Sequence, residues 1–242
     1  MLMLIDRLLQ SLRALSAYVQ RDVRLLRHLS LLLLAGFVVL TLLVLFVPPA
    51  LFDLGFSLEV QEDQSPVLDA AMHAVSWFGN GIAPGLIPAL VALTFLLLGA
   101  RREALFTLLT LLSGAVIYGI KILIDRPRPT ADLIRIIEDA QFQSFPSGHV
   151  TFYVTFFGFV VFLMYRLTWV WTWLRWTAAI ICLALIFTVP FSRMYLGAHW
   201  FTDVAAGFLI GLLCLIVLAG WYASRQDDPA VVTSEVRNNA RP

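Results

Sequence analysis

An all-α fold, a bundle of six membrane-spanning helices preceded by an interfacial helix, is predicted by long apolar runs, sparse charge and a lack of barrel-type alternation. Of the 242 residues, 60% are hydrophobic and only 14% charged, a balance that excludes an ordinary soluble domain. A helix needs about 20 largely apolar residues to cross the hydrocarbon, and the chain has room for about six. Backbone groups in lipid must bond internally, and the alternating segments of about ten residues that a barrel requires are missing. One multi-span domain follows. With 17 basic and 16 acidic residues, no global field recruits nucleic acid. Cys182 and Cys214 lie in apolar runs and read as small buried hydrophobes, not as a disulfide scaffold.

Residues 1–28 read as an amphipathic helix in the headgroup region, not as a cleavable signal peptide. Asp6, Arg7 and Arg13 break any apolar core, while Leu8, Leu9, Leu12, Leu15 and Val19 recur at helical steps. The spanning domain is expected over 29–225, with spans at about 29–47, 82–98, 104–124, 147–165, 176–191 and 198–222. Pro48 and Pro49 stop the first span. Glu59, Glu62, Asp63 and Asp69 keep the next stretch out of hydrocarbon, and a short surface helix is expected from Ser65 and Pro66 to Phe78. Pro84, Gly85 and Pro88 open span two, where missing backbone donors cost least. Trp169, Trp171, Trp173 and Trp176 mark an interface between spans four and five. Residues 226–242 read as a polar tail.

Six spans return both termini to one side. Arg7, Arg13, Arg21, Arg24 and Arg27 fall there, with Arg101, Arg102, Arg166, Arg175, Arg225, Arg237 and Arg241; only Lys121, Arg126, Arg128, Arg135 and Arg193 fall opposite. That excess predicts cytoplasmic termini. Four of the five exceptions sit in polar motifs, where chemistry overrides the topological preference.

Those motifs are Lys121 to Pro129, Pro146-Ser147-Gly148-His149, and Ser192 to Asp203. The topology brings all three to the outer face, and ionisable residues at the membrane edge are functional candidates by default. Ser147 reads as a helix cap, and Gly148 permits close approach to backbone amides that can hold an anion. Lys121, Arg193 and an arginine before proline, Arg126 or Arg128, complete a phosphate cradle. His199 and Asp203, four apart, share a helix face, so the carboxylate can orient the imidazole. A neutral His199 nitrogen can attack phosphorus, and His149 can protonate the leaving oxygen and then activate water. Blander readings remain open: Lys121 could snorkel and pair with Asp125, and His149, His199 and Asp203 could ligate zinc, although the surrounding cations oppose a metal ion. His28 and His73 lack such company and read as surface residues.

At these segments the chain resembles the type 2 phosphatidic acid phosphatase superfamily. Its patterns are lysine, six residues, arginine-proline; then proline-serine-glycine-histidine; then serine-arginine, five residues, histidine, three residues, aspartate. Lys121 with Arg128-Pro129, Pro146 to His149, and Ser192-Arg193 with His199 and Asp203 fit without departure. The resemblance favours Arg128 over Arg126. It implies His199 as nucleophile, Asp203 as its partner and His149 as acid/base. Lys121, Arg128, Ser147, Gly148 and Arg193 become the phosphate-binding set, with no metal or other cofactor.

The implied activity is hydrolysis of a membrane lipid phosphate or diphosphate, such as phosphatidylglycerophosphate, phosphatidic acid or undecaprenyl diphosphate. It would proceed through a phosphohistidine and release inorganic phosphate at the extracytoplasmic face of a bacterial inner membrane. A lipid-linked phosphotransferase using the same intermediate is the alternative, and a transporter or phosphate-binding protein ranks below it. Residues 130–145 read as a lid or entrance helix, or as a plain connection whose acidity helps eject phosphate. Gly207 and Gly211 permit close packing within the chain or in a dimer, leaving the oligomeric state open.

Overall fold

The structure, a computed structural model, describes residues 23–48 and 52–224; residues 1–22 of the interfacial helix expected at 1–28, and the tail at 226–242, fall outside the described residues. Helix α1 is Val23–Phe46. It passes through residues 23–28 without a break, so the boundary expected at residue 28 does not interrupt the helix. Leu31, Leu32, Val39 and Phe46 stand exposed on it, as an apolar surface does when lipid is its solvent.

The stretch after α1 departs most from expectation. Instead of a surface segment, Asp53–Val60 forms helix α2, with Asp53 and Ser57 buried. Asp53, Ser57 and Gln61 recur at four-residue steps, so they line one face, and that face turns into the end of the bundle. There the Gln61 amide donates to the carbonyls of Arg135 and Tyr195, each at 2.8 Å, and accepts from the Arg135 amide at 3.1 Å. Asp53 and Gln61 thus find their partners inside, whereas Glu59, Glu62 and Asp63, the charges that argue for exposure, do stand exposed.

Helix α3 is Pro66–Ser76, with Pro66 in its first turn and Ser65 Oγ accepting from the Leu68 amide at 3.1 Å. It runs through a 3₁₀ turn, Trp77–Gly79, toward α4, Ala83–Leu97. Alone, the 15 residues of α4 cover about 22 Å at 1.5 Å per residue, less than the roughly 30 Å of hydrocarbon. Span two is therefore not a single straight helix: Pro66–Gly79 and Ala83–Leu97 form a pair bent by 61° that passes as one span only together.

Helices α5, Arg101–Leu109, and α6, Leu112–Ile124, read as one span. At the joint Thr110 Oγ1 donates to the Thr107 carbonyl at 2.6 Å and Ser113 Oγ to the Thr110 carbonyl at 2.7 Å, bonds that compete with the helical ladder. The central span comprises α7, Gly148–Phe152, a π turn, Tyr153–Phe157, and α8, Gly158–Arg166. It is the most buried of the candidate spans. Helix α9, Thr172–Tyr195, runs beyond the expected 176–191, because the polar residues that close its apolar run are accommodated inside; Ser192 Oγ donates to the Met72 carbonyl at 2.7 Å. Helix α10 is Phe201–Ser224. Among the described residues five helices are long and apolar enough to cross a membrane, or six counting the bent pair, and no strand occurs. The protein is an all-α integral membrane bundle.

Gly207 and Gly211 pack within the chain. A Cβ on Gly207 would lie 2.7 Å from the Ser147 carbonyl oxygen, and one on Gly211 2.8 Å from Val154 Cβ. Thr151 Oγ1 donates to the Gly207 carbonyl at 3.0 Å across the same seam. Because backbone cannot move aside as a side chain can, Gly207→Ala should cost about 1–3 kcal/mol and lower the thermal midpoint in detergent. Equal midpoints for the variant and the parent protein would contradict this seam.

Candidate active site

The irregular segment from Asp125 to Ser147 joins α6 to α7 and carries the site's first layer. Asp125 ends α6 with φ of 46°, reversing the chain so that Arg126 enters the bundle. Arg126 is 5% exposed. It donates to Asp53 at 2.6 Å, to Thr202 Oγ1 at 2.7 Å and to Asp203. Asp53 also accepts from the Thr202 amide at 2.8 Å, capping the first turn of α10 from a distant helix. Arg126 is therefore a structural bridge between α2 and α10, and it does not line the site's cavity.

Arg128 takes the other direction. Its guanidinium donates to the carbonyls of Phe142 and Gln141, each at 2.8 Å, and to that of Ala198 at 2.5 Å. Its Nη1 lies 3.4 Å from His199 Nε2. Burial first, and then the charge of Arg193, hold its pKa down to about 10, so it stays cationic at pH 7.

His199 is 1% exposed and is set by a tight turn after α9. Gly197 adopts φ of 72°, and a Cβ there would sit 2.4 Å from the Arg135 carbonyl oxygen; only glycine meets both demands. His199 Nδ1 lies 3.6 Å from Asp203 Oδ2 and 3.5 Å from Ser144 Oγ. Asp203 is not a direct hydrogen-bond partner of the ring at that distance. Its carboxylate accepts from Arg126, from Ser144 Oγ and, at 2.9 Å, from the Trp200 amide. Ser144 spends its proton on Asp203, so its lone pairs face Nδ1 and favour the tautomer with hydrogen there. That leaves the lone pair on Nε2, the nitrogen nearest Arg128. Burial, then the charges of Arg128, Arg193 and Lys121, hold the imidazole pKa well below its ordinary 6.5.

Lys121, Arg128, Gly148, His149, Arg193 and His199 all line one cavity of about 830 Å³. Lys121 Nζ donates to the Gln143 carbonyl, with the Ser144 carbonyl at 3.5 Å, rather than pairing with Asp125, whose carboxylate accepts from Gln143 at 3.1 Å. Arg193 is fully buried, and its Nη1 donates to Ser76 Oγ and to both Glu138 oxygens at 3.0 Å. Its Nε and Nη2 have no partner.

Asp203 and Ser147 stand behind the cavity wall. Ser147 occupies the N-cap position of α7 but its hydroxyl makes no cap bond and is buried without a partner; its amide instead donates to the Asp203 carbonyl at 2.9 Å. Among the described residues no group of three or more His, Cys, Asp or Glu gathers to hold a metal ion, so His149, His199 and Asp203 form no such trio. Residues 130–145 contain no helix, but Glu138, Asp139 and Phe142 cover one side of the cavity. His73, read from sequence as a surface residue, also lines it, with Nδ1 3.7 Å from Glu138. Asp53, Ser144 and Asn80 were likewise not legible as site residues. The four-residue rhythm of Asp53, Ser57 and Gln61 was the one available signal.

The PAP2 superfamily pattern matches residues 102–227. The chain is 38% identical over 80 residues to the bacitracin transport permease protein BcrC of Bacillus licheniformis, covering 33% of this chain and 34% of that protein. It is 30% identical over 131 residues to the lipid A 1-diphosphate synthase of Escherichia coli K12, covering 47% of this chain and 51% of the relative. The alignments thus span about a third to a half of these relatives. A transmembrane PAP2-type phosphatidylglycerolphosphate phosphatase from Bacillus subtilis shares the fold, with TM-score 0.72 at 20% identity over 83% of this chain and 98% of that one. Aquifex aeolicus LpxE superposes with TM-score 0.51 at 21% identity, over 69% of this chain and 93% of that one.

A depressed His199 pKa means that the folded protein binds a proton there less readily than the unfolded chain does. Stability from this group is present above about 6.5 and is lost as pH falls through the interval down to the folded value. Nitrogen-15 spectra of histidine-labelled protein should show His199 as a neutral imidazole at pH 6, and an imidazolium signal for His199 at that pH would contradict the assigned environment.

Proposed function

The chain belongs to the PAP2 superfamily, and from that premise we propose that it hydrolyses phosphate or diphosphate headgroups of membrane lipids through a phosphohistidine on His199. The observation carrying this reading is the convergence of His199, His149, Lys121, Arg128 and Arg193 on one cavity. A neutral imidazole beside three cations suits attack on an anionic phosphorus centre, where preorganised donors meet charge on the phosphoryl oxygens. Arg193 brings two unpartnered nitrogens, Nε and Nη2, whose N–H groups are donors suited to such oxygens.

In the proposed first step His199 Nε2 bonds to phosphorus, the bond from phosphorus to the lipid oxygen breaks, and His149 supplies the proton that oxygen takes. In the second, water attacks phosphorus while His149 accepts its proton; the nitrogen–phosphorus bond breaks, its electron pair returns to Nε2 and inorganic phosphate leaves. Asp203, through Ser144 and its own charge, holds the tautomer that leaves Nε2 free. Ser147 and Gly148 contribute through the α7 terminus, Gly148 at the cavity and Ser147 by anchoring it to Asp203.

The basic-residue excess favours cytoplasmic termini and an extracytoplasmic site in a bacterial inner membrane. A lipid whose tail stays in the bilayer would arrive already oriented. Phosphatidylglycerophosphate, phosphatidic acid and undecaprenyl diphosphate are the substrates to try. A relative named as a lipid A 1-diphosphate synthase favours phosphotransfer to a lipid as the second reading. Transport is less well supported, because α6, α7, α9 and the start of α10 bring the cavity's ionisable side chains together from one end of the spans.

Purified protein in mixed micelles with chelator should release inorganic phosphate from at least one lipid of that panel, and His199→Ala should lower kcat by about 10³-fold or more while keeping its thermal midpoint. A variant turning over at the parent rate would contradict the nucleophile assignment. Phosphate appearing on an added acceptor lipid in place of the medium would favour the transferase.

A further inference from the structure

The loop between the two arms of the bent span reaches the site from outside the stretch that the family pattern matches, residues 102–227. Asn80 follows the 3₁₀ turn and is fixed on both sides: its amide donates to the Trp77 carbonyl at 3.0 Å, and its carbonyl accepts from the Ala83 amide at 3.1 Å. Its side-chain oxygen lies 2.5 Å from His149 Nε2. The preceding Gly79 is pressed against the same ring; a Cβ there would sit 2.2 Å from His149 Cδ2, 2.8 Å from Cγ and 2.9 Å from Nε2. Gly79, Asn80 and His149 all line the cavity.

We propose that Asn80, seated by the absence of a side chain at Gly79, is the positioning residue of His149, holding a hydrogen on Nε2 so that proton transfer runs through Nδ1. This rests on the acid/base reading of His149. An amide oxygen accepts only from a protonated Nε2, so the contact selects one tautomer and one ring plane. The ring atoms against Gly79 are Cγ, Cδ2 and Nε2, which leaves Nδ1 as the nitrogen away from the loop. From the imidazolium, Nδ1–H gives its proton to the departing lipid oxygen; as neutral imidazole, Nδ1 then takes one from the attacking water. The two histidines are thus backed differently. His199 has a carboxylate network behind it, which supports a nucleophile, whereas His149 has a neutral amide, which orients the ring without binding its proton as tightly as a carboxylate does.

A merely structural Asn80 would affect all substrates alike, whereas a partner of the acid matters most where the leaving group is poor. First-turnover release of the leaving group separates the cases, comparing a lipid phosphate, whose alkoxide must be protonated, with p-nitrophenyl phosphate, whose phenolate need not be. Asn80→Ala should raise the ratio of the p-nitrophenyl to the lipid rate about tenfold or more, with Gly79→Ala doing the same and His149→Ala doing so most strongly. Asn80→Asp, which still accepts from Nε2, should restore most of the lipid rate while moving the limb that reports His149 ionisation to higher pH. Monodispersity and thermal midpoint confirm that each variant is folded. An unchanged ratio in Asn80→Ala, with a raised ratio in His149→Ala, would overturn this inference and leave the acid/base reading intact. An unchanged ratio in His149→Ala would overturn both.

Discussion

Arg126 lies between two carboxylates, Asp53 from α2 and Asp203 from α10, all three at most 5% exposed. A buried bridge of this kind stabilises a fold weakly compared with apolar residues of the same shape, but removing Arg126 leaves two buried carboxylates without their counter-charge, at a cost of about 3–5 kcal/mol. The bridge therefore specifies geometry more than it adds stability. It fixes where the chain leaves α6, docks α2 against the bundle end and holds Asp203 in the orientation that presents Ser144 to His199. The surroundings of His199 follow from that bridge, whereas Arg193 is held separately by Ser76 and Glu138.

Two electrostatic environments share the cavity end of an otherwise apolar bundle. On the cavity wall, Lys121, Arg128 and Arg193 leave a local excess of positive charge that Glu138 balances in part through Arg193. Behind the wall, Asp203 and Asp53 are consumed by Arg126 and by backbone amides. The separation matters for the imidazole between them. Cations on its cavity side oppose protonation, while the carboxylate behind acts through Ser144 and at a distance. A neutral, oriented nitrogen in a positive cavity follows from that layering and needs no unusual property of the histidine itself.

Much of this architecture was written in the sequence. Apolar runs with proline and tryptophan punctuation located the spans, because lipid imposes one solution on the backbone. The spacing of His199 and Asp203, and the three motifs around them, located the residues that line or back the cavity. What was not legible depended on inversion of the usual solvent rule. Asp53 and Gln61 look like surface polarity until a buried arginine and two carbonyls need them. The bend between α3 and α4 is carried by a short 3₁₀ turn, and apolar periodicity has no sign for a 61° change of direction. Ser147 shows a different limit: it stands at the helix start as its sequence context implies, but its hydroxyl makes no cap bond.

The central claim is that His199 Nε2 bonds to the transferred phosphorus. Rapid quenching of the His149→Ala variant with phosphorus-labelled p-nitrophenyl phosphate tests it directly, since this leaving group departs without the acid while loss of the base should let the intermediate accumulate. The account predicts a phosphoryl group that is stable in alkali, labile in acid and mapped by mass spectrometry to His199. Label on any other residue would contradict it, as would parent-like turnover by His149→Ala with no trappable phosphoenzyme.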